Sequence, residues 1–181
     1  MNRIALTFVL STVALTACSK YGPDQEPSSA APAAAVPGPP TIQSDALKED
    51  VAVAYDMPQA SYSLRCDLNS VGGVGLAPGV AGPLASAPGI VFNGWVSDEK
   101  GVPPAKAVIV LKGAKSFGIL TTTGADRPDV AEALKAESAR KSGIAVLADT
   151  TLVAPGAYHV HLYVPENAAA CDTTKMLDVG G

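Results

Sequence analysis

The chain has little charge, few aromatic residues and few cysteines. Charged residues make up 17% and aromatic residues 5% of the 181 positions, against about a quarter charged in typical domains. Lys and Arg number 13 against 17 Asp and Glu. This argues against nucleic acid as a partner, because a binder needs a basic face to neutralise phosphates. Three cysteines are too few for a disulfide-dense mini-protein. The composition also excludes a polytopic membrane protein and a coiled coil.

Glycine and proline are abundant instead. The 17 Gly and 15 Pro residues exceed average usage, so part of the chain is expected to be irregular. The length is sufficient for one domain and not comfortably for two.

Residues 1–17 have the pattern of a signal peptide. Arg3 supplies the positive charge, and the apolar stretch 4–15 is shorter than the roughly 20 residues of a membrane-spanning helix. The stretch ends in Leu15-Thr16-Ala17-Cys18, which resembles the lipobox of bacterial lipoproteins. The resemblance implies that Cys18 receives a diacylglycerol and becomes the first residue after cleavage. An ordinary secretory signal with a chance cysteine is the alternative.

The predicted location is the cell envelope, with the membrane as a partner through the lipid. Acyl chains contribute about 0.8 kcal/mol per buried CH₂, so two or three of them anchor a protein firmly. In Gram-negative lipoproteins an Asp after the lipidated Cys favours the inner membrane. Ser19 therefore favours the outer membrane, with the protein facing the periplasm or the cell surface.

Residues 18–59 are predicted to be the lipidated Cys and a disordered tether, and residues 60–181 the folded domain. The first half of this tether has hardly any large apolar side chains, so it cannot bury enough surface to fold. Its prolines favour an extended, semi-rigid chain. They are Pro23, Pro27, Pro32, Pro37, Pro39 and Pro40.

The domain pattern predicts a mainly β fold, an antiparallel immunoglobulin-like β-sandwich of about seven strands with one short surface helix. Apolar residues alternate in 61–71 and 157–164, whereas 105–112 is apolar on both faces and is expected to be a central strand. The Gly- and Pro-rich segment 72–89 is expected to be a long mobile loop. The remaining predicted strands are 90–96, 116–123, 144–148 and 171–179.

The one predicted helix starts at an Asp126 cap and ends before Gly143. Pro128 lies in its first turn, and Glu137 and Lys141 have the spacing of an i,i+4 ion pair.

A disulfide is predicted between Cys66 and Cys171. Lipidation uses Cys18, and these two cysteines remain in an exported chain, where oxidation is expected. The bridge would tie the first predicted strand to the last. Two free thiols are the alternative.

Other chemical candidates are few. His159 and His161 are two residues apart on one predicted strand and share a face, but only Glu166 is close by, so exposed sheet histidines are the preferred interpretation over a metal pair. No nucleophile, paired-carboxylate or cofactor motif is present, so no cofactor is expected. Trp95 has apolar neighbours, which favours a core position, and a binding surface is the alternative.

Arg127 and Asp129 form a charged cluster with two possible interpretations. Helix capping explains the cluster without a ligand, and a carbohydrate or partner contact is the alternative.

Five short motifs occur in an order that resembles an uncharacterised β-sandwich domain of bacterial envelope proteins, over residues 61–179. The two characteristic motifs are Gly-Trp-x-x-Asp and Arg-Pro-Asp-Val. The five are Gly94-Trp95-Val96-Ser97-Asp98, Pro104-Ala105-Lys106, Arg127-Pro128-Asp129-Val130, Ser142-Gly143-Ile144 and Pro155-Gly156-Ala157-Tyr158.

That domain is often fused to polysaccharide-related membrane enzymes, and the resemblance implies no catalytic residue. We therefore expect a non-catalytic envelope protein that binds a glycan or a protein partner, through the candidate contact residues Trp95, Arg127 and Asp129. A hydrolase or metal-dependent enzyme with an unrecognised site is the alternative.

Overall fold

The structure is a computed structural model and describes residues 49–180. The signal peptide, Cys18 and most of the tether lie outside the described residues, so these assignments stay predictions. Among residues 49–180, no helix has the length and apolarity needed to cross a membrane.

Two sheets form a β-sandwich with one short α-helix, which confirms the predicted fold class. The larger sheet contains β1 (Val53–Ala54), β2 (Ser61–Tyr62), β5 (Ala81–Leu84), β7 (Lys106–Lys112), β8 (Phe117–Thr122), β10 (Gly156–Val164) and β11 (Ala169–Val179). The smaller sheet contains β3 (Arg65–Val71), β4 (Val74–Gly75), β6 (Ile90–Ser97) and β9 (Gly143–Ala148).

The strand order explains which segments are covered. The larger sheet runs β1-β8-β7-β10-β11, and β2 and β5 share the outer edge of β11 in two parallel pairings. The smaller sheet runs β4-β3-β6-β9, and all its pairings are antiparallel. Seven of the strands in residues 49–180 have six or more residues, and these correspond to the seven predicted strands.

The apolar pattern of β7 and β10 places them in the middle of the larger sheet. All five residues of 107–111 in β7 are buried, as predicted for a central strand. In β10, alternate residues face the main core between the sheets, which also confirms the pattern. These core-facing residues are Tyr158, Val160, Leu162 and Val164.

The predicted disulfide is present and crosses the sandwich. Cys66 on β3 is bonded to Cys171 on β11, with Cα atoms 6.4 Å apart. The bridge therefore joins the two facing sheets rather than two neighbouring strands of one sheet.

The packed part of the chain begins before the predicted boundary at Ala60. Ala52 and Tyr55 are buried, and β1 pairs with β8 at one edge of the larger sheet. Residues 55–62, which we call the strap, then cross the outer face of this sheet to β11, where β2 pairs in parallel. Tyr55 packs on Gly118, where an added Cβ would lie 2.8 Å from the Tyr55 ring.

The strap covers a second apolar cluster. The rings of Tyr55 and Tyr163 lie 6.5 Å apart, and both residues pack with Val108 and Val110 on this outer face. The larger sheet is therefore covered on both sides.

The segment 72–89 is not the long mobile loop that its composition predicts. It contains β4 and β5, and β5 pairs with the last four residues of β11. Pro83 is tolerated there because β5 is an edge strand. Thr150 holds the following residues, since its hydroxyl lies 2.7 Å from the Ala85 carbonyl oxygen and 2.9 Å from that of Ala87.

The helix is shorter than predicted. α1 spans Pro128–Leu134 and is terminated by Lys135, whose backbone is left-handed (φ 52°). A 3-10 helix follows at Glu137–Lys141. Asp126 does not cap α1; it pairs with Lys141 at 2.9 Å. Glu137 pairs with Arg140 instead of Lys141, because the 3-10 helix brings residues three apart together.

Candidate binding face on the smaller sheet

The outer face of the smaller sheet, which we call the Trp95 face, combines polar side chains with partly exposed aromatic and aliphatic side chains. The pairings that define it are Asp67 with Trp95, Ser70 with Asn93, Asn93 with Ala145, and Val91 with Leu147. Paired residues of antiparallel strands share a face. The intervening residues Leu68, Phe92 and Val146 point into the main core.

Trp95 lies on this outer face and is partly exposed, so the favoured core position was wrong. Its neighbours in sequence explain the difference. Gly94 and Val96 occupy the inward positions of β6, and period-two alternation turns Trp95 outward. Apolar sequence neighbours therefore did not mean apolar spatial neighbours, and the binding role of Trp95 stays a prediction.

A bulge in β3 adds a polar side chain to this face. The register between β3 and β6 shifts at Asn69, so β3 has one residue more than its partner. The Asn69 side-chain amide donates to Asp67 Oδ2 at 3.2 Å, and Asn93 donates to Ser70 Oγ at 3.2 Å. The bulge thus places three hydrogen-bonding side chains of β3 along one border of the face.

Arg127 connects the two characteristic motifs of the sequence. Its Nη1 donates to the Gly94 carbonyl oxygen at 3.2 Å and to Asn69 Oδ1 at 2.8 Å. Its Nε and Nη2 donate to the two carboxylate oxygens of Asp129 at 2.9 and 2.7 Å. Arg127 and Asp129 therefore belong together, and they lie next to the strand that carries Trp95.

The carboxylates of the face are paired. The hydrogen bonds from Arg127 stabilise the ionised Asp129 and lower its pKa to about 2. Asp67 Oδ1 lies 3.3 Å from Nζ of Lys175, a buried lysine of β11 that also donates to the Leu76 carbonyl oxygen at 3.1 Å. Each acidic group is thus held in position by a cationic partner.

Two residues of the Gly-Trp-x-x-Asp motif, Asp98 and Gly94, have structural roles. Asp98, the last residue of Gly-Trp-x-x-Asp, accepts the backbone N–H groups of Lys100 and Val102 at 2.9 and 2.7 Å. It therefore organises the turn after β6. Gly94 is needed for a close approach, because an added Cβ would lie 2.5 Å from the Asp67 carbonyl oxygen.

Sequence reasoning missed Asp67, Asn69 and Lys175. The alternation in 61–71 places Asp67 and Asn69 on the polar side of their strand, but it does not show that this side forms one face with Trp95. No sequence pattern indicates that Lys175 pairs with Asp67, since this pairing depends on the contact between β11 and β3.

Other candidates lie elsewhere. His159 and His161 are on the outer face of the larger sheet, where His159 is exposed and His161 is buried. Within residues 49–180, no three His, Cys, Asp or Glu side chains form a metal-binding group. A cavity of about 470 Å³ at one end of the sandwich is lined by residues that include Tyr55, Lys115 and Leu152, and by none of the predicted contact residues.

Comparison of the chain with protein-family models, with curated proteins and with solved structures found no match.

Proposed function

We propose that this protein is a lipid-anchored envelope protein whose sandwich binds a glycan through the Trp95 face. One observation carries the proposal: a partly exposed Trp lies directly beside a border of fixed hydrogen-bonding groups. Outward-facing sheet residues need no such arrangement for folding, since burial is what stabilises aromatic side chains.

A sugar ring matches this arrangement in its chemistry. One of its faces is built from C–H groups and packs against an indole ring, while its hydroxyl groups lie at the edge. The amides of Asn69 and Asn93 and the hydroxyl of Ser70 supply both donors and acceptors for such hydroxyl groups. The carboxyl groups of Asp67 and Asp129 supply further acceptors.

The glycan proposal is tested by titrating the purified chain with neutral oligosaccharides and with peptidoglycan fragments. Trp95→Ala is expected to weaken binding about tenfold or more, because it removes the stacking surface. Trp95→Phe should retain part of the affinity. Tyr62→Ala is the matched control, since Tyr62 is an exposed aromatic residue on the other sheet. Equal loss in the control, or unchanged binding in Trp95→Ala, would contradict the proposal.

A protein partner is the second candidate, and Leu147 and Val91 favour it. They are paired on this face and are 62% and 38% exposed. Neighbouring exposed aliphatic residues often mark protein contacts. Leu147→Lys should disrupt binding of a protein, detected by cross-linking in envelope extract, and leave sugar binding to Trp95 intact.

The lipid anchor depends on Cys18. Cys18→Ala should abolish incorporation of labelled palmitate and release a soluble or uncleaved exported chain. Unchanged labelling would refute the anchor without affecting the glycan proposal.

A further inference from the structure

His161 lies beneath the strap on the outer face of the larger sheet. It is 7% exposed, and its ring meets the ring of Tyr62 edge-on with centroids 6.0 Å apart. Tyr62 is the last residue of the strap and belongs to β2, which is held to β11 by a pairing of only two residues. A buried imidazole is thus covered by a weakly attached segment.

The imidazole lacks a partner for one nitrogen. His161 Nδ1 is buried and has no hydrogen-bond partner among the described residues. A buried polar atom without a partner is unfavourable, and adding a proton and a positive charge there is more unfavourable still.

The surrounding charges do not remove this penalty. Burial is the largest influence on the pKa of His161 and lowers it. Asp172, the register partner on β11, is second and raises the pKa, but it does not offset burial, and Lys112 on β7 and His159 on β10 lower the pKa slightly further. Tyr62 contacts the ring through its aromatic surface and brings no compensating charge.

We propose that the strap is an acid-sensitive latch: protonation of His161 drives the strap away from the outer face of the larger sheet. Release gives the imidazolium access to water and uncovers the apolar cluster of Val108, Val110 and Tyr163. Neutral solution keeps the latch closed.

The direction follows from proton linkage. The closed form binds the proton less tightly than the open form, so closure is fully stabilised above the ordinary histidine pKa of about 6.5 and is weakened as pH falls below it. Each pH unit between the ordinary and the lowered value multiplies the opening equilibrium by up to about ten.

Hydrogen–deuterium exchange of the full chain at pH 7.5 and 5.0, corrected for intrinsic exchange, tests the latch. Amides in 55–62 should exchange about tenfold faster at pH 5.0, while amides of β7 keep their protection. His161→Gln should remove this acceleration, and Tyr62→Ala should raise exchange at both pH values and flatten the pH dependence. His159→Gln is the matched control and should behave like the parent chain.

Two results would overturn the latch. One is an equal acid acceleration in His161→Gln and the parent chain. The other is available even if that variant fails to fold: an NMR titration of the parent chain in which His161 titrates no lower than His159.

Discussion

Both outer faces of the sandwich carry apolar side chains, but these side chains are buried on one face and exposed on the other. On the larger sheet the outward residues Val108, Val110 and Tyr163 are buried, because the strap crosses them. On the smaller sheet the outward residues Val91 and Leu147 remain exposed, and no described segment crosses them.

The difference shows that coverage is decided by the path of the chain more than by the strand itself. Covering a sheet face with an extended segment requires ordering about eight residues, which costs conformational entropy. In the described residues, a segment covers only one of the two faces. The uncovered face carries aromatic, amide and charged side chains held close together, and we therefore propose it as the binding surface.

The largest expected effect comes from removing the bridge that holds both faces together. The disulfide closes a loop of 105 residues between the sheets, and the chain-entropy model assigns such a loop about 4–5 kcal/mol. Cys66→Ser should therefore lower the thermal midpoint by about 15 °C with the fold retained. Cys171→Ser and the double variant should match it. Freely alkylated thiols in the denatured, unreduced parent would contradict the bridge.

The next largest loss of stability is expected from substitutions on the covered face of the larger sheet. Tyr55→Ala removes a buried aromatic side chain from the strap and is expected to lower the free energy of unfolding by about 3 kcal/mol. Gly118→Ala should cost about 1–3 kcal/mol, because its Cβ would meet the Tyr55 ring.

A double-mutant cycle in urea separates these contributions. Once Tyr55 is Ala, the additional Gly118→Ala change should cost little. Additive losses would mean that Tyr55 does not rest on Gly118. Glycan binding at the Trp95 face should survive all three variants, which distinguishes the two faces.

The smallest expected effect concerns the open face. The pKa of Asp129 is lowered to about 2 in the folded chain, so its ion pair with Arg127 stabilises the fold above the unfolded value near 4 and is lost as pH falls toward 2. The exposed pair contributes at most about 1 kcal/mol. Urea unfolding of Asp129→Asn and the parent should differ at pH 7, and the difference should narrow steadily below pH 4 to a small fraction of its neutral value near pH 2. A difference that does not narrow over this range would point to a role other than charge.

Local patterns predicted the parts of the fold whose burial follows from alternation or from a single possible pairing. β7 and β10 carried clear apolar periodicity, and Cys66 had one available partner in Cys171. The strap had no such signal, because 55–60 has neither helical nor strand periodicity, and Tyr55 is its one buried residue. The Gly and Pro residues of β5 led to the prediction of a loop there, although an edge strand tolerates both residue types.

The sequence proposed three residues of the candidate face, Trp95, Arg127 and Asp129, from their types and motifs, and their binding role stays a prediction. Their neighbourhood depends on contacts between distant segments, such as Arg127 with Gly94 and Lys175 with Asp67. No spacing in the sequence reports such contacts.

The position of Cys66 also sets how the chain responds to mechanical load. A pull from the N-terminal side first strips β1, then the strap, then β2, since each is held by two-residue pairings and side-chain packing. Peeling stops at Cys66, because the covalent loop to Cys171 carries the force from there. A released segment 49–65 adds on the order of 50 Å of reach, whereas the residues between Cys66 and Cys171 stay joined by the disulfide.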